Sequence, residues 1–328
     1  MTIVEDNANI ENDIGQGDFY DTEVLKFDRA VYDEERIKKK EEIERCLQNN
    51  PYDDGLIDKL RQFAKSAGGL IDDEIRKRAW PLLLALRPED VDTSDDTTDY
   101  KSHVEYSQVV LDVNRAIRRF PPGIPYAQRV AMQDQLIRLI LRVITKYPQL
   151  KYYQGYHDVA ITFLLVVGEN TSFHMLEKLS THHLKHFMEA TLEKTSELLE
   201  YVYVLLDYLH PELCAYISKV DVGTMFCLPW YLTWYSHTLA QYEHVVRLYD
   251  YFLASNPFIP LYLIPAIILH RQDRIFATEC ELSALHQELS QLPEDLPFDQ
   301  LLQQADEFLI KYPPENIQKE AHIRRLNK

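Results

Sequence analysis

Glycine is scarce in this chain, with 9 glycines among 328 residues. Soluble proteins average about 7% glycine, and the tight turns of hairpins and small barrels depend on it. The shortage therefore predicts a mainly helical protein. Hydrophobic residues make up 46% of the chain, which is enough for one large core or for two smaller cores that pack together.

Local signatures of nucleotide and hydrolase sites are also missing. No glycine-rich loop ends in Lys-Ser or Lys-Thr, and neither Gly-x-Gly-x-x-Gly nor Gly-x-Ser-x-Gly occurs. Such segments hold phosphates against backbone N–H groups, or expose a nucleophilic serine at a sharp turn. The sequence thus shows no nucleotide cradle and no hydrolase nucleophile of its own.

Positive charge is in deficit, since 35 lysines and arginines face 52 aspartates and glutamates, for a formal net charge of −17. The basic residues are scattered, so nucleic acid is not an expected partner. The four cysteines show no Cys-x-x-Cys spacing, and no secretory leader is recognisable. Both features favour the cytoplasm.

Long apolar runs are absent as well. The most apolar stretches, residues 158–168 and 258–270, are too short to cross a bilayer. No transmembrane segment is predicted in this chain, and peripheral membrane association or a lost C-terminal anchor both stay open.

Alternation of polar and apolar segments predicts four parts: a disordered acidic leader at 1–30, a helical extension at 31–57, the main domain at 58–315 and a tail at 316–328. Within the main domain, helical periods recur between proline and glycine breakers. They cover residues 103–117, 129–147, 158–167, 172–187, 195–209, 222–237, 242–254, 258–270, 278–292 and 298–312.

Two polar segments stand out against this pattern. Asp112 and Arg115 are three residues apart on a predicted helix, and Gln154 and Gly155 stand among tyrosines just before an apolar helix. Taken alone, the first pair indicates an exposed helix ion pair. The second indicates an ordinary polar turn with glycine at positive φ.

At these positions the chain resembles the TBC family of Rab GTPase-activating proteins. Members of that family carry an Arg-x-x-x-Trp block, an Ile-x-x-Asp-x-x-Arg motif and a Tyr-x-Gln-Gly motif, in that order. The corresponding segments here are Arg76-Lys77-Arg78-Ala79-Trp80, Val109-Val110-Leu111-Asp112-Val113-Asn114-Arg115 and Tyr152-Tyr153-Gln154-Gly155.

The resemblance implies an all-α, TBC-type helical domain made of two packed helical subdomains, about 58–190 with the catalytic residues and 191–315. The implied partner is a Rab-family GTPase in its GTP-bound state, which carries the GTP and Mg²⁺, so no cofactor of the chain's own is expected. The chain would be a GTPase activator and not a hydrolase by itself.

The resemblance also assigns roles to residues. Arg115 would stabilise charge on the phosphate, and Gln154 would position the attacking water. Asp112 would hold Arg115, while the other members of the two motifs would support the site or the domain. These supporting residues are Tyr153, Gly155 and Asp158, the last of which could instead cap the next helix, together with the structural motif Arg76, Trp80, Phe120 and Pro121.

One departure leaves the arginine open to an alternative. Four residues separate Arg115 from Phe120, where many family members have one or two, so Arg118 or Arg119 is an alternative finger. The spacing from Asp112 favours Arg115. The Arg-Arg-Phe-Pro-Pro and Tyr-Tyr-Gln-Gly-Tyr-His-Asp variants most resemble the branch acting between the endoplasmic reticulum and the Golgi, which implies the cytosolic face of those membranes.

Two rival interpretations remain. His182, His183 and His186 place two imidazoles four residues apart, but no third ligand has supporting spacing, so an ordinary helix surface is favoured over a metal site. The second rival is a non-catalytic Rab-binding trafficking scaffold, which keeps the fold without using the two side chains. Both side chains are present, which argues against it.

Overall fold

The protein is described here from a computed structural model, which covers residues 22–48, 54–91, 98–116 and 124–326. Every regular element in those ranges is a helix, so the all-α prediction is confirmed. The α-helices are α1 (Thr22–Leu47), α2 (Asp54–Lys65), α3 (Asp73–Leu83), α4 (Tyr106–Ala116), α5 (Tyr126–Lys146), α6 (Tyr156–Val167), α7 (Glu169–Thr181), α8 (Glu193–Leu199), α9 (Tyr201–Leu209), α10 (Pro211–Ser218), α11 (Leu228–Leu232), α12 (Tyr242–Leu253), α13 (Ile259–His270), α14 (Gln272–Ala277), α15 (Leu282–Ser290), α16 (Phe298–Lys311) and α17 (Pro314–Leu326). Short 3₁₀ helices lie at Pro88–Asp90, Tyr100–Ser102 and Lys185–Met188.

The described residues up to Glu42 belong to one unit and those from Ile43 onward to another. In the first unit, α1 already begins at Thr22, whereas the sequence analysis assigned residues 1–30 to a disordered leader. No glycine or proline occurs between Asp18 and Asn50 to stop a helix. The earlier part of the predicted leader lies outside the described residues.

The second unit holds the core, and α6 and α13 are its central helices. Both are buried over almost their whole length, as is typical of helices that are apolar on all sides. Helix α13 packs against α9 and α16, while α6 packs against α3, α4, α5 and α7. Because α6 is surrounded in this way, the turn at its N-terminus has a rigid support.

A buried carboxylate joins the beginning of this unit to α12. Asp250 is fully buried and accepts hydrogen bonds from Trp80 Nε1 at 2.7 Å, from Arg76 Nε at 3.1 Å and from Leu70 N at 2.9 Å. Burial by itself lowers the pKa of Arg76, but the carboxylates of Asp250 and Asp73 raise it above its ordinary value, so the guanidinium stays charged. Arg76 and Trp80 therefore connect α3 to α12 within the core.

Two predicted helices are wrong in extent. The run 222–237 is helical at Leu228–Leu232, and Trp234 and Tyr235 then adopt φ values of 47° and 67°. A helix cannot continue through left-handed backbone. The run 172–187 stops at Thr181 because His182 leaves helical geometry, with ψ at −78°.

Other boundaries also differ from the predictions. The run 195–209 is divided at Glu200 between α8 and α9, and α17 occupies most of the predicted tail at 316–328. The division of the main domain at residues 190 and 191 stays a prediction. Among the described helices, none combines the length and the apolar character that a bilayer crossing requires.

Candidate functional site

A groove of about 430 Å³ lies where the end of α4, the turn before α6 and the segment around α11 meet. Its walls are formed by the two polar motifs and by a third segment, which lies within the run 222–237 that was predicted to be one helix. The lining residues are Asp112, Arg115, Ala116, Tyr153, Gln154, Gly155, His157, Leu192, Leu228, Pro229, Leu232, Thr233 and His237. The structure thus brings Arg115 and Gln154 to one groove.

Arg115 lies in the last turn of α4, and 70% of its side chain is exposed. Its Nη1 is 3.6 Å from Asp112 Oδ1, which is too long for a good hydrogen bond. Asp112 itself is buried, with 1% exposure, so the interpretation of these two residues as an exposed helix pair is wrong. The buried carboxylate attracts a guanidinium that is still free to reach outward.

Asp112 is held by two donors. Gln108 Nε2 donates to it at 3.1 Å, and the Tyr152 hydroxyl donates to its Oδ2 at 3.0 Å. Burial raises the pKa of Tyr152, and the neighbouring Asp112 carboxylate raises it further, so the hydroxyl keeps its proton. Because Tyr152 lies two residues before Gln154, this bond connects α4, which carries Arg115, to the segment that carries Gln154.

The same hydroxyl lies 3.1 Å from His157 Nδ1. A hydroxyl has one proton, and since that proton is donated to Asp112, His157 Nδ1–H must be the donor to Tyr152. The tyrosine therefore bridges α4 and the first turn of α6. Tyr152 belongs to the Tyr-x-Gln-Gly motif, but nothing local to that motif indicates a bond to a residue 40 positions earlier.

Gln154 is exposed on a turn that a hydrogen bond from Tyr156 N to Tyr153 O closes at 3.1 Å. Gly155 follows it with φ 111° and ψ −17°, the conformation that the third residue of a type II turn requires. Positive φ at Gly155 was expected from the sequence. The turn places Gln154 just before the N-terminal end of α6, where its side chain lines the groove.

Gly155 is also packed too closely for any larger residue. A Cβ added there would lie 2.7 Å from Thr233 Cγ2. Next to it, the buried Tyr153 hydroxyl donates to Leu232 O at 2.9 Å. The turn at residues 153–156, the glutamine turn, thus packs directly against residues 232–233.

We expect Gly155→Ala to lower the rate of partner GTP hydrolysis, the activity that the family resemblance predicts, by about tenfold or more. Small displacements of a reacting group have large effects on rate. Gly168→Ala is a matched control, because Gly168 also has positive φ, at 77°, but its added Cβ meets no atom within 4 Å. Both variants should lose about 1–3 kcal/mol of stability from backbone strain. Equal activity losses in the two variants would show that the contact with Thr233 is unimportant.

Asp158 does not cap α6. The sequence predicted that this helix begins at residue 158. It begins instead at Tyr156 with Gly155 at the N-cap position, so Asp158 is the third residue of the helix. Its buried carboxylate instead lies 2.7 Å from His237 Nδ1 and 3.6 Å from His157 Nε2. The sequence offered no sign of this partner, because His237 is 79 residues away along the chain.

The alternative finger residues Arg118 and Arg119, and the motif residues Phe120 and Pro121, lie outside the described residues. Arg76 and Trp80 are described and do not line the groove. They lie in the core around Asp250.

The three histidines do not share a helix face, contrary to the preferred interpretation. His182 follows the end of α7, and His186 lies in a 3₁₀ helix. Burial and, to a smaller extent, the neighbouring His182 lower the pKa of His183 to about 4. Within the part of the chain that the structure describes, no group of three or more His, Cys, Asp or Glu side chains is arranged to hold a metal ion.

In the part that the structure describes, this is an all-helical protein with an exposed arginine and an exposed glutamine on the walls of one groove, and these features define its class. Comparisons with known proteins give the family. Residues 73–276 match the Rab-GTPase-TBC domain family. The chain therefore belongs to the TBC-domain family and is, by that homology, a Rab GTPase-activating protein.

Individual relatives agree with this membership. The chain is 42% identical over 294 residues to human TBC1 domain family member 20, covering 90% of this chain and 72% of that protein. It is 28% identical over 267 residues to the GTPase-activating protein gyp10 of Schizosaccharomyces pombe, covering 80% and 70%. The crystal structure of the Ypt/Rab-GAP domain of Gyp1p superposes with a TM-score of 0.69 at 16% identity, over 84% of this chain and 99% of that domain, which shows the shared fold.

Proposed function

We propose that this protein accelerates GTP hydrolysis on a GTP-bound Rab-family GTPase by inserting Arg115 and Gln154 into the partner's nucleotide site. The observation that carries the proposal is that both side chains are exposed and line the same groove. GTP and Mg²⁺ would come with the partner. The proposal thus needs no cofactor bound to this chain.

The role of Arg115 follows from the charge that builds on the phosphate oxygens during hydrolysis. A guanidinium is permanently charged and can donate to two oxygens at once, and an arginine supplied in trans increases the rate by about 10³ to 10⁵. With 70% of its side chain exposed and a long 3.6 Å separation from Asp112, Arg115 can extend toward a partner. Asp112 lies below it as a fixed counter-charge.

The role of Gln154 follows from the poorly held attacking water. A carboxamide can accept a hydrogen bond from that water while donating one to a phosphate oxygen. Its position on a glycine-dependent turn at the start of a buried helix fixes the backbone and leaves the side chain in the groove. Rigid support of this kind is what a positioned catalytic group needs.

The Tyr152 bridge supports joint action by the two side chains. It links Asp112 below Arg115 to His157 in the helix that follows Gln154. Two groups that act on the same phosphate must keep a set separation, and this partly buried hydrogen-bonded connection supports it. The cation and the amide are in this way parts of one assembly.

We further propose that the partner acts between the endoplasmic reticulum and the Golgi, and that this protein works at the cytosolic face of those membranes. The support is the resemblance of the Arg-Arg-Phe-Pro-Pro and Tyr-Tyr-Gln-Gly-Tyr-His-Asp variants to that branch of the family. Single-turnover GTP hydrolysis across a panel of Rabs tests this. If the hydrolysis rate of a Rab from another compartment increases most, the proposed place of action is wrong.

Gln154→Ala is expected to lower the single-turnover rate on the responding Rab by about 10²-fold, in the range found when one positioned hydrogen-bonding group is removed. Gln149→Ala is the matched control, because Gln149 is also exposed and lies in the same interhelical segment without lining the groove. Rab binding by both variants should be close to that of the wild type. If every Rab binds and none is accelerated, the protein is a scaffold and the proposal fails.

A further inference from the structure

The glutamine turn is held at three points by the segment 232–237. Tyr153 donates to Leu232 O at 2.9 Å, Gly155 lies against the methyl group of Thr233, and Asp158 lies 2.7 Å from His237 Nδ1. These contacts are made by the residue before Gln154 and by the first and fourth residues after it.

The backbone of this segment has an uncommon conformation. Trp234 and Tyr235 have φ values of 47° and 67°, which bulky residues rarely adopt. Both side chains are fixed in the core, since Trp234 packs edge-on against Tyr249 and Phe252 and the Tyr235 hydroxyl donates to Pro260 O at 2.8 Å. The packing of α12 and α13 therefore keeps a turn that the local sequence would not favour.

That turn determines where Thr233 and His237 lie. Thr233 Oγ1 donates to Pro229 O at 2.7 Å and accepts from His237 N at 3.2 Å, which closes the segment on itself. The His237 side chain is 48% exposed and lines the groove, whereas its partner Asp158 is 1% exposed. Backbone strain that is kept next to a functional groove is commonly part of how that groove is built.

We infer that His237 is a positioning residue for Gln154, and that the turn 232–237 is the element through which the core sets the position of the glutamine. This inference rests on the proposed function of Gln154. The His237 imidazole donates to the buried Asp158 carboxylate through Nδ1–H. It thereby holds the first turn of α6, and with it the type II turn that carries Gln154, in its place at the groove.

A purely structural role for His237 would affect stability in every background, and a contact with the partner would affect binding. A positioning role predicts a different pattern. The saturating single-turnover rate should change while the concentration giving half-saturation stays the same, and the change should depend on the presence of Gln154.

The experiment measures single-turnover GTP hydrolysis on the responding Rab as a function of the concentration of this protein. His237→Leu should lower the saturating rate by about tenfold. His237→Asn places an amide donor near the position of Nδ1, so its rate should lie within about threefold of the wild type. His270→Leu is the matched control, because His270 is exposed at the end of α13 and does not line the groove.

The decisive comparison repeats His237→Leu in the Gln154→Ala background, where acceleration due to Arg115 remains. There, replacement of His237 should change the rate by less than about twofold. Thermal unfolding of each variant checks folding, and His237→Ala replaces the leucine variant if that one does not fold.

Three results would overturn the inference: an equal loss with and without Gln154, an asparagine variant as slow as the leucine variant, or a change confined to half-saturation. Failure of the proposed function is recognised separately. It would appear as a Gln154→Ala single variant with the full wild-type rate, and the inference would fall with it.

Discussion

Replacing Arg115 with alanine should lower the single-turnover rate on the responding Rab by about 10³-fold or more, the smallest contribution usual for an arginine supplied in trans. The guanidinium is expected to meet charge that develops in the transition state, so binding of the GTP-bound Rab should change far less than the rate. Arg115→Lys should recover little, because an ammonium group cannot make the two parallel hydrogen bonds of the guanidinium fork. The measurement is phosphate release at saturating concentrations of this protein.

Arg61→Ala is a matched control for this result. Arg61 also follows an aspartate by three residues on a helix, with its Nη1 3.2 Å from Asp58 and its side chain 47% exposed, but it does not line the groove. Its removal should leave the rate unchanged. Arg118→Ala and Arg119→Ala test the alternative fingers. If either variant loses more of the single-turnover rate than Arg115→Ala, that residue, and not Arg115, is the inserted arginine.

Replacing Asp250 with alanine should lower the free energy of unfolding by about 3–5 kcal/mol, the usual effect of removing one partner of a buried ion pair. The substitution leaves the Arg76 guanidinium buried without its main counter-charge. It also removes the acceptor of Trp80 Nε1 and of Leu70 N. Unfolding in urea, followed by tryptophan fluorescence, measures the change.

Asp295→Ala serves as the control for that experiment, since Asp295 is exposed and should contribute within about 0.5 kcal/mol. A loss at Asp250 as small as the loss at Asp295 would mean that the carboxylate does not support Arg76 and Trp80 as described. A second check is the response of Arg76→Ala in combination with Asp250→Ala. The two losses should not add, because the residues share one network.

The sequence was sufficient for the fold class and for the position of the glutamine turn. Scarce glycine and recurring apolar periods predicted an all-helical chain, and the Gln-Gly pair before an apolar run predicted a turn with positive φ at Gly155. Both predictions depend on local chemistry, which a sequence displays directly. For the same reason α4, α5, α6, α12, α13 and α16 were placed within three residues of their observed bounds, whereas α10 and α14 were not predicted.

The third wall of the groove could not be predicted. The run 222–237 has an acceptable helical period, and left-handed backbone at Trp234 and Tyr235 is imposed by packing against α12 and α13. The partners of Asp158 and of Arg76 lie 79 and 174 residues away along the chain. Contacts of that range depend on the assembled fold, and no local pattern indicates them.

The burial of Asp112 also escaped the sequence analysis. An aspartate three residues before an arginine on a helix normally indicates a solvated pair. Here the carboxylate is buried and accepts hydrogen bonds from Gln108, four residues before it on α4, and from Tyr152 in the segment before α6. The pair thus combines a buried anion with an exposed cation.

Small GTPases carry a glutamine of their own that orients the attacking water. In the proposed mechanism, Gln154 takes over this role and acts alongside Arg115. Single-turnover hydrolysis on a responding Rab whose own catalytic glutamine is replaced by alanine separates the two sources of the amide. We expect wild-type protein to accelerate this altered Rab nearly as well as the normal one, and Gln154→Ala to give no acceleration. Loss of acceleration by the wild type on the altered Rab, with Gln154→Ala still active on the normal Rab, would contradict it.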